Sequence, residues 1–151
     1  LSPFRHVVLD TSHCGVAEVD IVAAWDRLKS TAVHLHVSDN RGGGRDSHAP
    51  LGHGILPLAS FLYAVADDDT SDVSITLELD CRRYLDDRAA LVGYLRQERE
   101  KCLALLDGEP AEDVLGRPDR VEALPGALAG EDDADQPTAG PADDELTPAV
   151  T

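Results

Sequence analysis

Three short apolar runs, each followed by a longer stretch of helical periodicity, constrain this chain more than anything else in it. "HVVLD" (6–10), "TAVHLHV" (31–37) and "DVSITLELD" (72–80) are rich in β-branched residues and read as strands. "AEVDIVAAWDRLKS" (17–30) sets Val19, Val22, Ala23, Trp25 and Leu28 near helical spacing. Pro57 can open a second helix in "LPLASFLYAVADDD" (56–69). "LDDRAALVGYLRQEREKCLALLDG" (85–108) has an Asp pair to start it, a periodic apolar face, and Gly108 beyond its end. Strand, helix, strand, helix, strand, helix means parallel βα units.

Three parallel strands make a poor isolated domain, because both edges are open and apolar strands need cover on both faces. A barrel of eight such units runs to roughly 250 residues. The roughly one hundred residues that carry the alternation correspond to about three of eight units, so the α/β fold is expected to be incomplete as it stands. The first residue is Leu rather than Met, which fits a cut piece.

Beyond 107 the βα alternation dissolves. Residues 1–107 are expected to form the folded part. Residues 108–151, rich in Pro, Gly, Ala and acid, are expected to be a disordered tail with at most a transient helix around 111–124. From Leu1 to Leu106 there are 16 acidic and 11 basic residues, a net of −5; from Asp107 to Thr151 the count is 13 against 2, a net of −11. The tail thus carries most of the total of −16, and lysine is confined to Lys29 and Lys101. Such a surface repels nucleic-acid phosphates unless a local cationic or metal site overcomes it, so a nucleic-acid partner is not expected. Cys14, Cys81 and Cys102 are odd in number and lack zinc-finger spacing, which fits a reduced, cytoplasmic protein. No signal peptide and no apolar run near 18 residues is present, so no membrane association is expected.

"HLHVSDNRGGGRDSHAPLGHG" (34–54) holds four of the six histidines. It is either a solvated loop or the lip of a metal site. In a parallel barrel, chemistry sits at the carboxyl ends of the strands. Those ends carry Asp10 and His13, then His34, His36 and Asp39, then Glu78 and Asp80. One imidazole with two carboxylates suits a divalent ion such as Mn, Co, Mg or Zn. Each residue has a plainer reading. Asp10 can cap loop hydrogen bonds. His34 and His36 point the same way on a strand, and one of them, His34, reads as a satisfied core histidine. Glu78 lies between Leu77 and Leu79, where an unpaired carboxylate would be costly, which favours a metal or cationic partner. Cys14 and Cys81 read as small loop residues, Cys102 as helix core, and His53 as a loop histidine. Arg41 and Arg45 suit an anionic or hydroxyl-rich substrate, with the glycines letting backbone approach it.

"LDTSH", "HLHVSDNRG", "DSHAPLGHGILPL" and "ITLELD", in this order, resemble the last three strands of the xylose isomerase-like barrels over residues 5 to about 105. That superfamily includes sugar phosphate isomerases and epimerases and the endonuclease IV-type AP endonucleases. The resemblance implies the last three βα units of a (β/α)8 barrel. It implies metal ligation by Asp10, His36 and Glu78, with Glu78 also catalytic. His36 is preferred to His34 because it keeps the spacing to Asp39. His13 resembles a residue that contacts substrate oxygens or a second metal, and Arg41 the arginine that holds the sugar. Asp46 and His48 resemble a pair that binds an extra zinc in the nuclease branch, and Gly52 and Gly54 match the turn before the next helix. The family's fourth ligand, a glutamate from an earlier strand, has no counterpart among these residues.

The function implied is aldose–ketose isomerisation, or epimerisation next to a carbonyl, of a sugar or sugar phosphate with a divalent metal. Two alternatives stand beside it: a zinc phosphodiesterase acting on abasic DNA, and an inactive piece or half-barrel needing a partner chain. A homo-oligomer or a complementing barrel segment would be the partner in that last case.

Overall fold

A computed structural model describes residues 5–69 and 72–116. Strand β1 covers Val7–Asp10, β2 Ala32–Val37 and β3 Ser74–Leu77. They form a parallel sheet in the order β1-β2-β3. Leu9 pairs with Leu35 and Leu35 with Ile75, while Asp10 pairs with His36 and His36 with Thr76. Period two then divides the sheet into two unlike faces. Leu9, Leu35 and Val37 turn toward the helices and are buried. Val8, Ser74 and Thr76 are exposed on the other face, Val8 to 54%. The cover expected on both faces is present on one only, among the described residues.

Helix α1 spans Thr11–Val16, α2 Ile21–Leu28, α3 Leu58–Ala66, α4 Arg88–Leu106 and α5 Ala111–Val114, with a 3-10 turn at Arg82–Tyr84. Residues 17–20, expected to begin a helix, lie instead between two helices. The cause is a pair of aspartate caps. Asp10 accepts the His13 N–H and starts α1 directly off the strand, and Asp20 accepts the Val22 and Ala23 N–H groups and starts α2. Asp87 caps α4 through the Ala90 N–H. Gly108 ends α4 at φ +83°, with its N–H on Leu105 C=O and the Glu109 N–H on Ala104 C=O, the paired bonds of a left-handed C-cap.

The core lies between the sheet and the helices. Trp25 and Phe61 meet edge to face at 6.4 Å, the Trp25 Nε1–H donates to Ala64 C=O, and Leu58, Leu62, Leu51 and Leu105 are fully buried around them. Cys102 is buried in this core, as its helical position predicts, and all three cysteines are free thiols. The folded part does not stop at 107. After the Gly108 reversal, α5 follows, and Ala111, Val114 and Leu115 pack on the core. Apolar contact, unseen in an acid-rich stretch, thus carries the packed core past 107 to Leu115. The tail expectation for residues 117–151 lies outside the described residues. No described helix is long and apolar enough to cross a membrane.

Candidate metal centre

Sheet register alone brings the first group together. Asp10 ends β1, His36 is its paired residue on β2, and Glu78 follows the last residue of β3, where its N–H continues the ladder onto Val37 C=O at 3.2 Å. His36 Nδ1 lies 2.7 Å from Glu78 Oε2 and 3.5 Å from Asp10 Oδ2. All three donor atoms fall within 4.8 Å of one another. The Glu78 Oε2 atom is buried and makes no hydrogen bond of adequate geometry. A buried, unsatisfied carboxylate oxygen is costly by itself. One imidazole nitrogen and two carboxylate oxygens, one of them left in this state, fit a divalent cation.

A second group adjoins it. His13 Nε2 is 2.9 Å and His48 Nε2 3.0 Å from the same oxygen, Asp46 Oδ2. These three also meet within 4.8 Å. Ser12 Oγ donates to Asp46 Oδ1 at 2.7 Å, and His48 Nδ1 faces Ser38 Oγ at 3.2 Å, so the outer side of each group is already held. His13 links the two groups, since its Nδ1 stands 3.5 Å from Asp10 Oδ2. The Asp10 charge, then the hydrogen bond to Asp46, raises the His13 pKa above its usual value. At Asp46 burial acts upward, but the Ser12 hydrogen bond and the charges of His48 and His13 outweigh it and lower the pKa.

Asp39 takes no part in either group. It is 1% exposed and accepts the N–H groups of Asn40, Gly52, Gly54 and Leu56. Burial pushes its carboxyl up, and those four donors pull it partly back. It is a hub on which the histidine-rich loop is folded. Asn40 completes the hub: its side chain donates to Ser12 and to Arg45 C=O and accepts the Gly42 N–H. The loop is therefore a built structure between β2 and α3. Gly54 is required in it, because a Cβ there would sit 2.3 Å from Asn40 O and from Asp39 Oδ1.

The remaining candidates separate from the two groups. His34 bonds Ser74 Oγ at 2.6 Å and meets the His36 ring edge-on; it is satisfied, but half-buried on the open face rather than in the core. Asp80 is gripped by Arg82 through both oxygens, and this bond lowers its pKa. Arg41, Arg45 and His53 are exposed on the loop. Asp39, named among the strand-end groups, is thus a structural hub, and Glu98, buried within α4, is not singled out by the sequence. The one signal for Glu98 was a glutamate in the buried series Tyr94, Glu98, Cys102, Leu105.

Parallel strands with imidazoles and carboxylates gathered at their carboxyl ends define the class: an α/β protein built like part of a TIM barrel. The chain belongs to the xylose isomerase-like TIM barrel family, which matches residues 2–101. Over 64 residues it is 36% identical to the uncharacterized protein ML2432 of Mycobacterium leprae (strain TN), a stretch covering 42% of this chain and 23% of that protein. The match thus spans under a quarter of the relative's length. No solved structure matches the chain.

Proposed function

We propose that this chain forms the last three βα units of a (β/α)8 barrel that isomerises a sugar or sugar phosphate, or epimerises it next to its carbonyl. The observation that carries the reading is the convergence of Asp10 Oδ2, His36 Nδ1 and Glu78 Oε2 from three neighbouring strand ends. Among the described residues, the open sheet face and the unpaired outer edges of β1 and β3 support completion by further strands. Asp10, His36 and Glu78 would hold a divalent cation (Mn, Co, Mg or Zn), with a further ligand from an earlier strand. When bound, the cation supplies Lewis-acid polarisation of neighbouring substrate oxygens.

The chain's own residues then divide the work. Glu78 moves a proton at the carbon beside the carbonyl, on the face of the sugar it approaches from the end of β3. His13, exposed and ringed by carboxylates, holds substrate hydroxyl oxygens, and Arg41 approaches the carbonyl end from the loop. The test is Glu78→Gln in the full-length protein. Both turnover of a panel of aldoses, ketoses and their phosphates and retention of bound metal should be lost; retained activity removes the assignment.

A second reading is favoured by one observation, the His13, Asp46 and His48 group. With it, the strand ends and the loop after β2 offer six donors in two adjoining sets, as a zinc phosphodiesterase acting on abasic DNA would need. The net charge of −16 works against a DNA substrate. Metal analysis of the full-length protein separates the two: one ion per barrel supports the isomerase, two or three the phosphodiesterase.

A further inference from the structure

We propose that Glu98, on α4, is a positioning residue for Asp46 and His48, acting through a buried clamp on Leu51. This rests on the reading that the His13, Asp46 and His48 group belongs to the functional site. Glu98 is 2% exposed. Its Oε2 accepts the Leu51 N–H at 2.8 Å, and its Oε1 accepts Lys101 Nζ at 2.7 Å. Lys101 Nζ in turn donates to Leu51 C=O at 3.4 Å. Two side chains of one helix thus give Leu51 the acceptor and the donor that a neighbouring strand would otherwise supply.

The stability of the fold does not account for this pair. Buried ion pairs are often replaceable by apolar residues of similar volume at no loss of stability, whereas breaking one by half is strongly destabilising. What the pair does is fix a loop. Asp39 and Ala49 form an antiparallel bridge with N–O distances of 2.9 and 2.8 Å, and Asp39 holds the Gly52, Gly54 and Leu56 amides. Leu51 lies between these anchors and is fastened from the opposite side by Glu98. His48 immediately precedes the fastened stretch and has a positive φ of 37°. For a residue with a side chain this conformation costs about 1–3 kcal/mol and persists only where the surroundings over-determine it. The Asp80 N–H on His48 C=O and the anchors at Ala49 and Leu51 provide that constraint. The strained backbone in turn lets the His48 ring reach back to Asp46 Oδ2, two residues earlier.

The experiment uses the full-length protein and Co²⁺ or Zn²⁺ as the probe. The double variant Glu98→Met, Lys101→Met leaves no buried unpaired charge and keeps the fold. It should retain the ion at Asp10, His36 and Glu78 and lose about 10–100-fold in affinity for a second ion, the usual effect of removing an outer support. Glu98→Gln combined with Lys101→Met, which keeps an acceptor for the Leu51 N–H and leaves no lysine charge unpaired, should restore second-ion affinity to within about threefold of wild type. Unchanged second-ion affinity in the Glu98→Met, Lys101→Met variant overturns the proposal. If the wild type takes up no second ion, the metal reading of that group fails by itself. The clamp is then decided by amide hydrogen exchange. Faster exchange at Ala49, Gly52 and Gly54 with α3 unaffected, reversed by Glu98→Gln combined with Lys101→Met, supports it, and unchanged exchange refutes it.

Discussion

His13 turns one ring nitrogen toward each of two carboxylates, and its titration follows from that. Asp10 and then Asp46 raise its pKa above 6.5. These pairings therefore stabilise the fold fully at pH below about 6.5 and are lost as pH rises through the higher folded value. The side chain is 64% exposed, so screening keeps their effect on global stability small. Ion uptake is the more sensitive measure, because a cation competes with that proton. Zinc uptake by the His13, Asp46 and His48 group should weaken as pH is lowered and the His13 proton competes with the ion. An NMR titration of the His13 ring in ion-free protein checks the cause, and a midpoint at or below 6.5 contradicts it. The residues legible in the sequence were those whose position strand ends dictate: Asp10, His36 and Glu78. Asp39 and Glu98 were not legible, because their partners are backbone amides of a loop whose course no local pattern specifies.

At the level of elements, strands and helices followed their periodicities, and the caps set their limits. Asp20, Asp87 and Gly108 act where their residue types predict. Gly93 offers a clean test of helix energetics. It is exposed inside α4, and a Cβ there meets nothing within 4 Å. Gly93→Ala should raise stability by about 0.5–1 kcal/mol, read as a higher urea midpoint at unchanged slope. Gly54→Ala should do the opposite. Its Cβ collides with the Asn40 carbonyl and the Asp39 carboxylate, and it should cost about 3 kcal/mol and release the loop. A loss under about 0.5 kcal/mol would show that the Asp39 hub yields rather than holds. The short helix α5 falls where a transient helix is expected, around 111–124, but its docking was not legible, because its apolar residues, Ala111, Val114 and Leu115, are few and embedded in acid. Their value lies in reaching a core formed by residues far away in the chain.

Among the described residues, the sheet has one covered face and one open face. Val8 is the sensitive reporter of what belongs there, being 54% exposed in the middle of an otherwise ordinary strand. Val8→Lys should leave the stability of the 151-residue chain within about 0.5 kcal/mol of wild type. In a full-length barrel the same position would face a packed interior, and the substitution should cost about 3 kcal/mol or more. Urea unfolding of both lengths measures the difference, and equal small effects in the two would tell against barrel completion. Leu35→Ala, by contrast, removes a fully buried side chain from the finished side and should cost about 2–5 kcal/mol at either length.

Sequence alone determined the order of strands and helices, their parallel arrangement, and which side chains stand at the strand ends, because these follow from local periodicity and the rule that consecutive βα units lie side by side. Only the tertiary structure decided that the glycine-rich loop is folded on Asp39 and fastened by Glu98, that His48 turns back to share Asp46 with His13, and that the core reaches residue 115. Those features depend on residues far apart in the chain, such as Gly52 and Leu115, which lie 63 positions apart. Periodicity reports which face of an element is apolar, but not which distant amide a buried carboxylate will find.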